Sequence, residues 1–406
     1  MNDMARPQKI SASTRPKAVL RPGMHKRIAS GHPWAYSNEI DMTSELRELK
    51  SGTIVALNDT HGRFLGAAMF NPHSLISARI LERHPDIDIN ADWLVGRFSN
   101  AMNLRDRLFA RPFYRLVHAE ADGMPGLIVD RYDESLVVQL NTAGMDLMAN
   151  DIVRALQRTC SPKGIVVQRQ GAARRLEGME DNPATIIGHV STTTRVVENG
   201  IEFLTDLIGG QKTGWFFDHR ENRARVASLA MGKLILDVYS YLGGFGISAA
   251  VAGASNVICV DRSHAALDLA TRSAEAAGVS GVCKFERADA FTAMETLKKN
   301  NQRFGIVIAD PPAFVKSRKG LKSGLQGYRK LARLSSSLVE PGGVLCIASC
   351  SQHVDTALFN SQIYRGLRDA KRNGRILHTG GAGPDHPVHP ALPESAYLKC
   401  LFLQID

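Results

Sequence analysis

The stretch Leu234-Ile-Leu-Asp-Val-Tyr-Ser-Tyr-Leu-Gly-Gly-Phe-Gly246 decides the fold. A short apolar run carrying an acid, Asp237, reads as a buried strand. The glycines at 243, 244 and 246 then let the chain turn tightly and approach a ligand closely. A helix is expected to follow that turn. Outward from this point the pattern repeats. Further apolar runs stand at Asn256-Val-Ile-Cys-Val-Asp261, Gly281-Val-Cys-Lys-Phe-Glu286, Gly305-Ile-Val-Ile-Ala-Asp310 and Gly343-Val-Leu-Cys-Ile-Ala348. Helical patterns, such as His264 to Ala277, separate them. Strands alternating with helices predict a parallel, doubly wound sheet.

Residues 200–406 are therefore expected to form a Rossmann-like α/β domain. Two other regimes precede it. From residue 18 to 86, short apolar stretches broken by Gly, Pro, Asn and Asp predict a small β-barrel module. Its segment from Arg21 to Tyr36, with Lys26 and Arg27, is basic enough to face RNA, with a solvated loop as the alternative. From 87 to 199 the pattern is mixed α+β. Leu94, Phe98, Ala101, Leu104 and Leu108 recur at helical spacing. Strands are expected at 126–130, 135–140 and 164–168, with a helix over 146–159. Arg169, Arg174 and Arg175 cluster near the end, either as a solvated loop or as a substrate contact. Residues 1–17 read as a flexible basic tail, with a transit peptide as the alternative.

Composition narrows the function classes. The 406 residues carry 44% hydrophobic and 22% charged side chains, the balance of an ordinary globular chain. No apolar run reaches the roughly 18 residues of a membrane span. The six cysteines contain no C-x-x-C pair, so neither a zinc ribbon nor a disulfide framework is expected, and no metal. That cysteine usage suits a reducing cytoplasm. The net charge of +10 favours a polyanionic partner such as RNA.

The glycine turn and its acids identify a cofactor class. Asp261 ends the second strand, where an acid roughly 20 residues beyond the turn reaches ribose hydroxyls. That fits NAD as well as S-adenosyl-L-methionine. Three features separate the two. The turn is not G-x-G-x-x-G. Asp237 would repel a pyrophosphate but tolerate the cationic methionine moiety. Asp289, followed by Ala290 and Phe291, stands where an acid accepts from the adenine amino group while the ring packs beside it. The candidate cofactor residues here are Asp237, Tyr239, Gly243, Gly244, Phe245, Asp261, Asp289, Ala290 and Asp310.

Two motifs carry chemistry. Asp310-Pro-Pro-Ala-Phe314 ends the fourth strand. Its prolines fix φ and rigidify a loop at the sheet edge where α/β folds bind ligands. Related loops hold an exocyclic amine near a methyl donor, so the motif suggests base methylation without naming the atom. Cys350, just past the fifth strand, sharpens the choice. A thiolate attacking C6 of a pyrimidine makes C5 nucleophilic, which is covalent catalysis. A base must then remove the C5 proton, and Asp310 is the candidate. Cys259 and Cys346 sit mid-strand and read as buried structural thiols. The run from Val315 to Lys330 holds Lys316, Arg318, Lys319, Lys322 and Arg329 without an acid. It reads as a flexible basic loop suited to RNA phosphates.

The chain resembles the RlmI-type large-subunit ribosomal RNA cytosine-C5 methyltransferases over nearly its whole length. The resemblance rests on Gln211-Lys-Thr-Gly-Trp-Phe-Phe-Asp-His-Arg220, Tyr239-Ser-Tyr-Leu-Gly-Gly-Phe245, Asp310-Pro-Pro-Ala-Phe314 and Ser349-Cys-Ser351. His118-Ala-Glu-Ala-Asp-Gly-Met-Pro-Gly-Leu-Ile-Val-Asp-Arg-Tyr132 adds to it. It implies an N-terminal PUA domain, a central α+β domain and a C-terminal class I methyltransferase domain. It also implies that Thr213, Phe216 and Arg220 help enclose the cofactor, that Cys350 is the nucleophile, and that a homodimer forms. The sequence departs from the family pattern at Gln352-His353 and at Ala313. Two other readings stand beside it. One is an amine methyltransferase acting on N2 of guanine or N6 of adenine without covalent catalysis. The other is a non-catalytic RNA-binding ribosome-assembly factor.

Overall fold

The computed structural model describes residues 15–406. The expected tail lies, up to residue 14, outside them. Arg15 is not tail-like: it is buried, and its guanidinium donates to the carbonyls of Pro85 and Ile87. Lys17 already begins a strand.

The chain folds as two compact units. The first runs to Ser191 and takes back Pro387–Pro393. It opens with β1 (Lys17–Val19), α1 (His25–Ala29), β2 (Trp34–Ala35), α2 (Ser44–Glu48), β3 (Thr53–Asn58), β4 (Phe64–Phe70) and β5 (Ala78–Glu82). These strands form one sheet in the order β1-β3-β4-β5-β2. Then come α3 (Ala91–Leu108), β6 (Phe113–His118), β7 (Leu127–Tyr132), β8 (Ser135–Leu140), α4 (Ala143–Leu147) and α5 (Ala149–Cys160). β9 (Gly164–Arg169), α6 (Ala172–Leu176) and β10 (Asn182–Gly188) complete a second sheet, β10-β9-β8-β7-β6.

Two expectations are corrected here. Leu94, Phe98 and Ala101 of α3 are buried, but Leu104 and Leu108 are exposed. Arg105 takes the buried position instead, because both carboxylate oxygens of Asp122 accept from its guanidinium at 2.6 and 2.8 Å. The helix expected over 146–159 is two helices separated at Met148. The Arg169–Arg175 cluster is structural: Arg169 and the buried Arg174 both reach Asp146, and Arg175 pairs with Asp181.

The second unit starts at Thr192. A hairpin of β11 (Thr194–Glu198) and β12 (Ile201–Thr205) leads to α7 (Arg220–Ser228), β13 (Leu234–Val238) and α8 (Gly244–Val251). Then follow β14 (Asn256–Asp261), α9 (His264–Ala276), β15 (Cys283–Arg287), α10 (Ala290–Lys299) and β16 (Phe304–Ala309). α11 (Leu321–Leu338), β17 (Val339–Ser349), α12 (Thr356–Asp369), β18 (Gly374–Gly380) and β19 (Lys399–Ile405) close the chain. The main sheet has the order β15-β14-β13-β16-β17-β19-β18. The first five strands are parallel, as their alternation with helices requires. The last two are not: β19 runs antiparallel to β17, and β18 antiparallel to β19. The expectation of a parallel sheet therefore fails at this edge. β18 and β19 are joined by residues 381–398 with no α-helix to carry a crossover, and they pair antiparallel.

Both faces of the sheet are covered. Leu236, Val307 and Ile347 point to one core with Tyr328, Leu331 and Phe359. Ile235, Ile306 and Cys346 point to the other with Val226, Phe245 and Phe402. Strand alternation produces this division, and two covered faces explain the nearly continuous apolar runs. α11 corrects another expectation. The segment from Leu321 onward is helix, not loop, because Leu321, Leu325, Tyr328 and Leu331 supply an apolar stripe against the sheet.

Gly246 is required by packing. A Cβ there would lie 2.4 Å from Cys259 Sγ, itself fully buried. Gly246→Ala is expected to destabilise the protein by about 1–3 kcal/mol through overpacking, read by urea denaturation. Adding Cys259→Ala should recover most of the loss.

Candidate active site

The strand order reverses between β13 and β16, and ligands of open α/β sheets bind in the crevice at such a point. The loops after β13, β14, β16 and β17 carry most of the residues singled out in the sequence.

After β13, Tyr239 and Tyr241 take left-handed φ values of 62° and 50°. Such strain costs about 1–3 kcal/mol per residue and persists only where the surroundings impose it. Here they do. Tyr241 N donates to Asp261 Oδ2 at 2.9 Å, and the Tyr241 hydroxyl accepts from Gln211 N and donates to Gly214 O. Asp261 Oδ1 accepts from Ser263 N. Gly243 follows with φ 71° and caps α8. A Cβ on Gly244 would press on Trp215 and Arg223. Phe245 is buried in the core beneath.

Asp237 is buried, with Oδ2 accepting from Gly246 N at 3.0 Å. Its Oδ1 has no hydrogen-bond partner among the described residues, and neither has Ser240 Oγ. Burial raises the Asp237 pKa to about 8, with Asp310 and Asp261 adding to the rise. Asp289 caps α10, accepting from Phe291 N and Thr292 N, while its second oxygen lies 3.4 Å from Arg262. Ala290 is buried as the first residue of that helix. Phe291 stacks on Phe314 at 6.3 Å.

The segment 211–220 is held by one buried acid, Glu198. It accepts from Trp215 Nε1 at 3.0 Å and from Arg223 at 2.5 and 3.1 Å. Thr213 is buried, Phe216 packs edge-on against Tyr241, and Arg220 lies 3.9 Å from Glu198.

His219, which the sequence did not single out, meets Asp310. Its Nε2 is 3.2 Å from Asp310 Oδ2, and Asn222 lies 3.2 Å from Nδ1. Burial alone would lower the histidine pKa, but Asp310 and Asp218 more than offset it and raise it to about 9. Burial likewise opposes ionisation of Asp218. His219, His386, Lys212 and a 2.6 Å hydrogen bond from the Tyr397 hydroxyl nevertheless hold its pKa below the ordinary carboxylate value.

Cys350 follows β17 and is half-buried. Its neighbours pin it. Ser349 Oγ donates to the Tyr328 hydroxyl at 2.8 Å, and that hydroxyl is 2.8 Å from Ser351 Oγ. Ser351 Oγ in turn accepts from Val315 N, so the cysteine turn is tied to the Asp-Pro-Pro loop and to α11. Burial pushes the Cys350 thiol above its ordinary pKa, as does Asp310, while Lys212 acts in the opposite direction. The paired serines were visible in the sequence. Tyr328 was not, since only folding brings it 20-odd positions back to the cysteine.

The basic candidates divide. Lys316, Arg318, Lys319 and Lys322 are exposed before and at the start of α11. Arg329 instead forms a two-point ion pair with Asp369 at 2.6 and 2.8 Å. In the first unit, Arg21 and Lys26 are exposed, whereas Arg27 pairs with Glu39 at 2.6 Å. All six cysteines are free thiols. Among the described residues, no helix is long and apolar enough to cross a membrane.

Comparison with known proteins agrees with this geometry. A family of S-adenosylmethionine-dependent methyltransferases matches residues 154–403, and a PUA-like domain matches 18–83. The chain is 35% identical to the ribosomal RNA large subunit methyltransferase I of Photobacterium profundum, covering 93% of this chain and 96% of that one. It is 34% identical to the protein of the same name from Aeromonas salmonicida, covering 94% and 97%. Among solved structures, a chain described as a methyltransferase and complexed with S-adenosylhomocysteine superposes with a TM-score of 0.82 at 20% identity. That match covers 96% of this chain and all of the other, and shows a shared fold.

Two outcomes follow from the site geometry. Tyr328→Phe leaves two buried serine hydroxyls short of a partner. It should cost about 1–3 kcal/mol in urea denaturation and speed alkylation of Cys350. Asp237 titrates near 3.9 when unfolded and at about 8 when folded. The unfolded chain therefore releases this proton first, and the ligand-free protein should lose stability as pH rises toward about 8. In Asp237→Asn that part of the slope should vanish from thermal denaturation curves.

Proposed function

The chain belongs to the ribosomal RNA large subunit methyltransferase I family of S-adenosylmethionine-dependent enzymes, and from that premise we propose that it forms 5-methylcytosine in large-subunit ribosomal RNA through a covalent Cys350 intermediate. The observation that carries this reading is Cys350 tied through Ser351 to the Asp310-Pro-Pro loop at the ligand edge of the sheet.

The crevice fits the methyl donor. Asp237 Oδ1 and Ser240 Oγ are buried polar atoms awaiting partners, and Asp237, held protonated to about 8 in the ligand-free protein, can ionise against the cationic, sulfonium-bearing methionine moiety. Tyr239, Gly243, Gly244 and Phe245 form the floor. Asp261 keeps lone pairs for ribose hydroxyls, and Asp289 with Ala290 borders the adenine end. Thr213, Phe216 and Arg220 enclose the remaining side. When bound, S-adenosylmethionine supplies an electrophilic methyl group.

The chain's residues would do the rest. Cys350 Sγ, as thiolate, adds to C6 of cytosine, and the ring electrons shift so that C5 becomes nucleophilic. Once C5 carries the methyl group, Asp310 takes the C5 proton, and the C6–S bond breaks to return the thiolate. His219, holding Asp310 Oδ2, leaves Oδ1 to face the base. The aromatic cluster of Tyr239, Phe291 and Phe314 excludes water from one side. The base must leave its stack to reach the crevice, so single-stranded or flipped RNA is the form engaged. Lys316, Arg318, Lys319 and Lys322, with Arg21 and Lys26 of the PUA-like domain, supply phosphate contacts. Arg27 and Arg329, already paired with acids, contribute less. The free thiols suit a cytoplasmic setting.

The test is the identity of the modified nucleoside. Incubation with labelled S-adenosylmethionine and large-subunit RNA should place the label in 5-methylcytidine, and Cys350→Ala should abolish it. Label on an exocyclic amine, or full activity in Cys350→Ala, would overturn the mechanism.

A further inference from the structure

Lys399 begins β19 directly opposite Ser349 in the antiparallel register with β17. Its side chain is buried. Its ammonium donates one hydrogen bond among the described residues, to the carbonyl of Ser351 at 2.8 Å, and joins no ion pair there. An ammonium out of water with only a neutral partner is costly and calls for a nearby anion. Ser349 and Ser351 flank Cys350, so the cysteine turn is what this cation faces.

Resting on the nucleophile reading above, we propose that Lys399 is a positioning residue that stabilises the Cys350 thiolate and fixes the turn that carries it. The charge balance around the thiol favours such a role. Asp310 from the loop after β16 and Asp218 from the segment before α7 both disfavour a thiolate. Tyr328 of α11 contributes a neutral hydroxyl that bonds the flanking serines. Lys212 is the one opposing cation from the 211–220 segment. Lys399, on β19, places a second cation at the cysteine turn, bonded to the Ser351 carbonyl. Burial lowers its own pKa, while Cys350 and Asp355 raise it. The attack on C6 needs a thiolate beside two carboxylates, and a fixed, buried positive charge lowers the free energy of that state.

The test reads the thiol itself. The rate of iodoacetamide alkylation at Cys350, followed by peptide mass spectrometry across pH, reports the thiolate fraction. Lys399→Met keeps the volume and Lys399→Gln keeps a donor for Ser351, but neither carries charge. Both should move the alkylation midpoint upward by about one pH unit or more. The pH–rate profile of methyl transfer should move with it. A purely structural role would slow alkylation or transfer at every pH without moving the midpoint. Folded variants, with wild-type thermal midpoints, that alkylate on the wild-type profile would sink the proposal. If neither variant folds, the coupling can be read from the other side, because linkage is reciprocal. The Lys399 side-chain ammonium, followed by NMR, should then titrate at lower pH in Cys350→Ala, and an unchanged titration would refute the coupling. Failure of the nucleophile reading is separable. RNA carrying 5-fluorocytidine should form a stable adduct at Cys350, and its absence would sink that reading while leaving the thiol titration intact.

Discussion

A sheet whose strand order reverses leaves a crevice at the reversal, because the helices leaving the two central strands pass to opposite faces. Here those strands are β13 and β16, and their carboxyl ends supply Asp237 and Asp310 to the same opening. β17, next to β16, brings Cys350 to that edge, and β19 beside it brings Lys399. Parallel register sets which residues arrive together. Val238 pairs with Ala309, and Ala309 with Ile347, so the turns that follow begin at nearly the same level.

The crevice concentrates buried charge. Asp237, Asp218, His219, Glu198 with Arg223, and Lys399 all lie within the second unit at low exposure. Groups of this kind are costly to bury and are retained where they hold geometry or tune chemistry. Glu198 holds geometry. Its contacts to Trp215 and Arg223 fix the segment that ends at His219, and His219 fixes Asp310. Tyr328 does the same for the cysteine turn with a hydroxyl instead of a charge.

Several parts of this were legible in the chain. The glycine turn after Asp237, the acids at Asp261 and Asp289, the Asp-Pro-Pro loop and Cys350 all follow from strand-end position and local chemistry. Errors arose where local pattern was overruled by packing. Arg105 displaced Leu104 and Leu108 from the buried face of α3 because Asp122 satisfied its charge. The basic run after Val315 looked like a loop, since Gly320, Gly324 and Gly327 weaken a helical reading. Val315 and Phe314 pack against Gly324 and Gly327, where a Cβ would clash, so packing requires the very glycines that weaken the helical reading of α11.

The sequence by itself determined the alternation of strands and helices, the cofactor class and the thiol available for attack, because each is written in contiguous residues of fixed local geometry. Only the tertiary structure decided which distant groups meet Asp310 and the cysteine turn. His219, Tyr328 and Lys399 lie in three different parts of the chain, and although the stretches 211–220 and 315–330 stand out in the sequence, nothing local to these three side chains names their partners. Lys399 meets the cysteine turn because antiparallel β19 pairs with β17, while His219 reaches Asp310 from the segment before α7 and Tyr328 reaches the flanking serines from α11. The pairing of β19 with β17, across the one edge where the sheet stops being parallel, has no short-range signal in the chain.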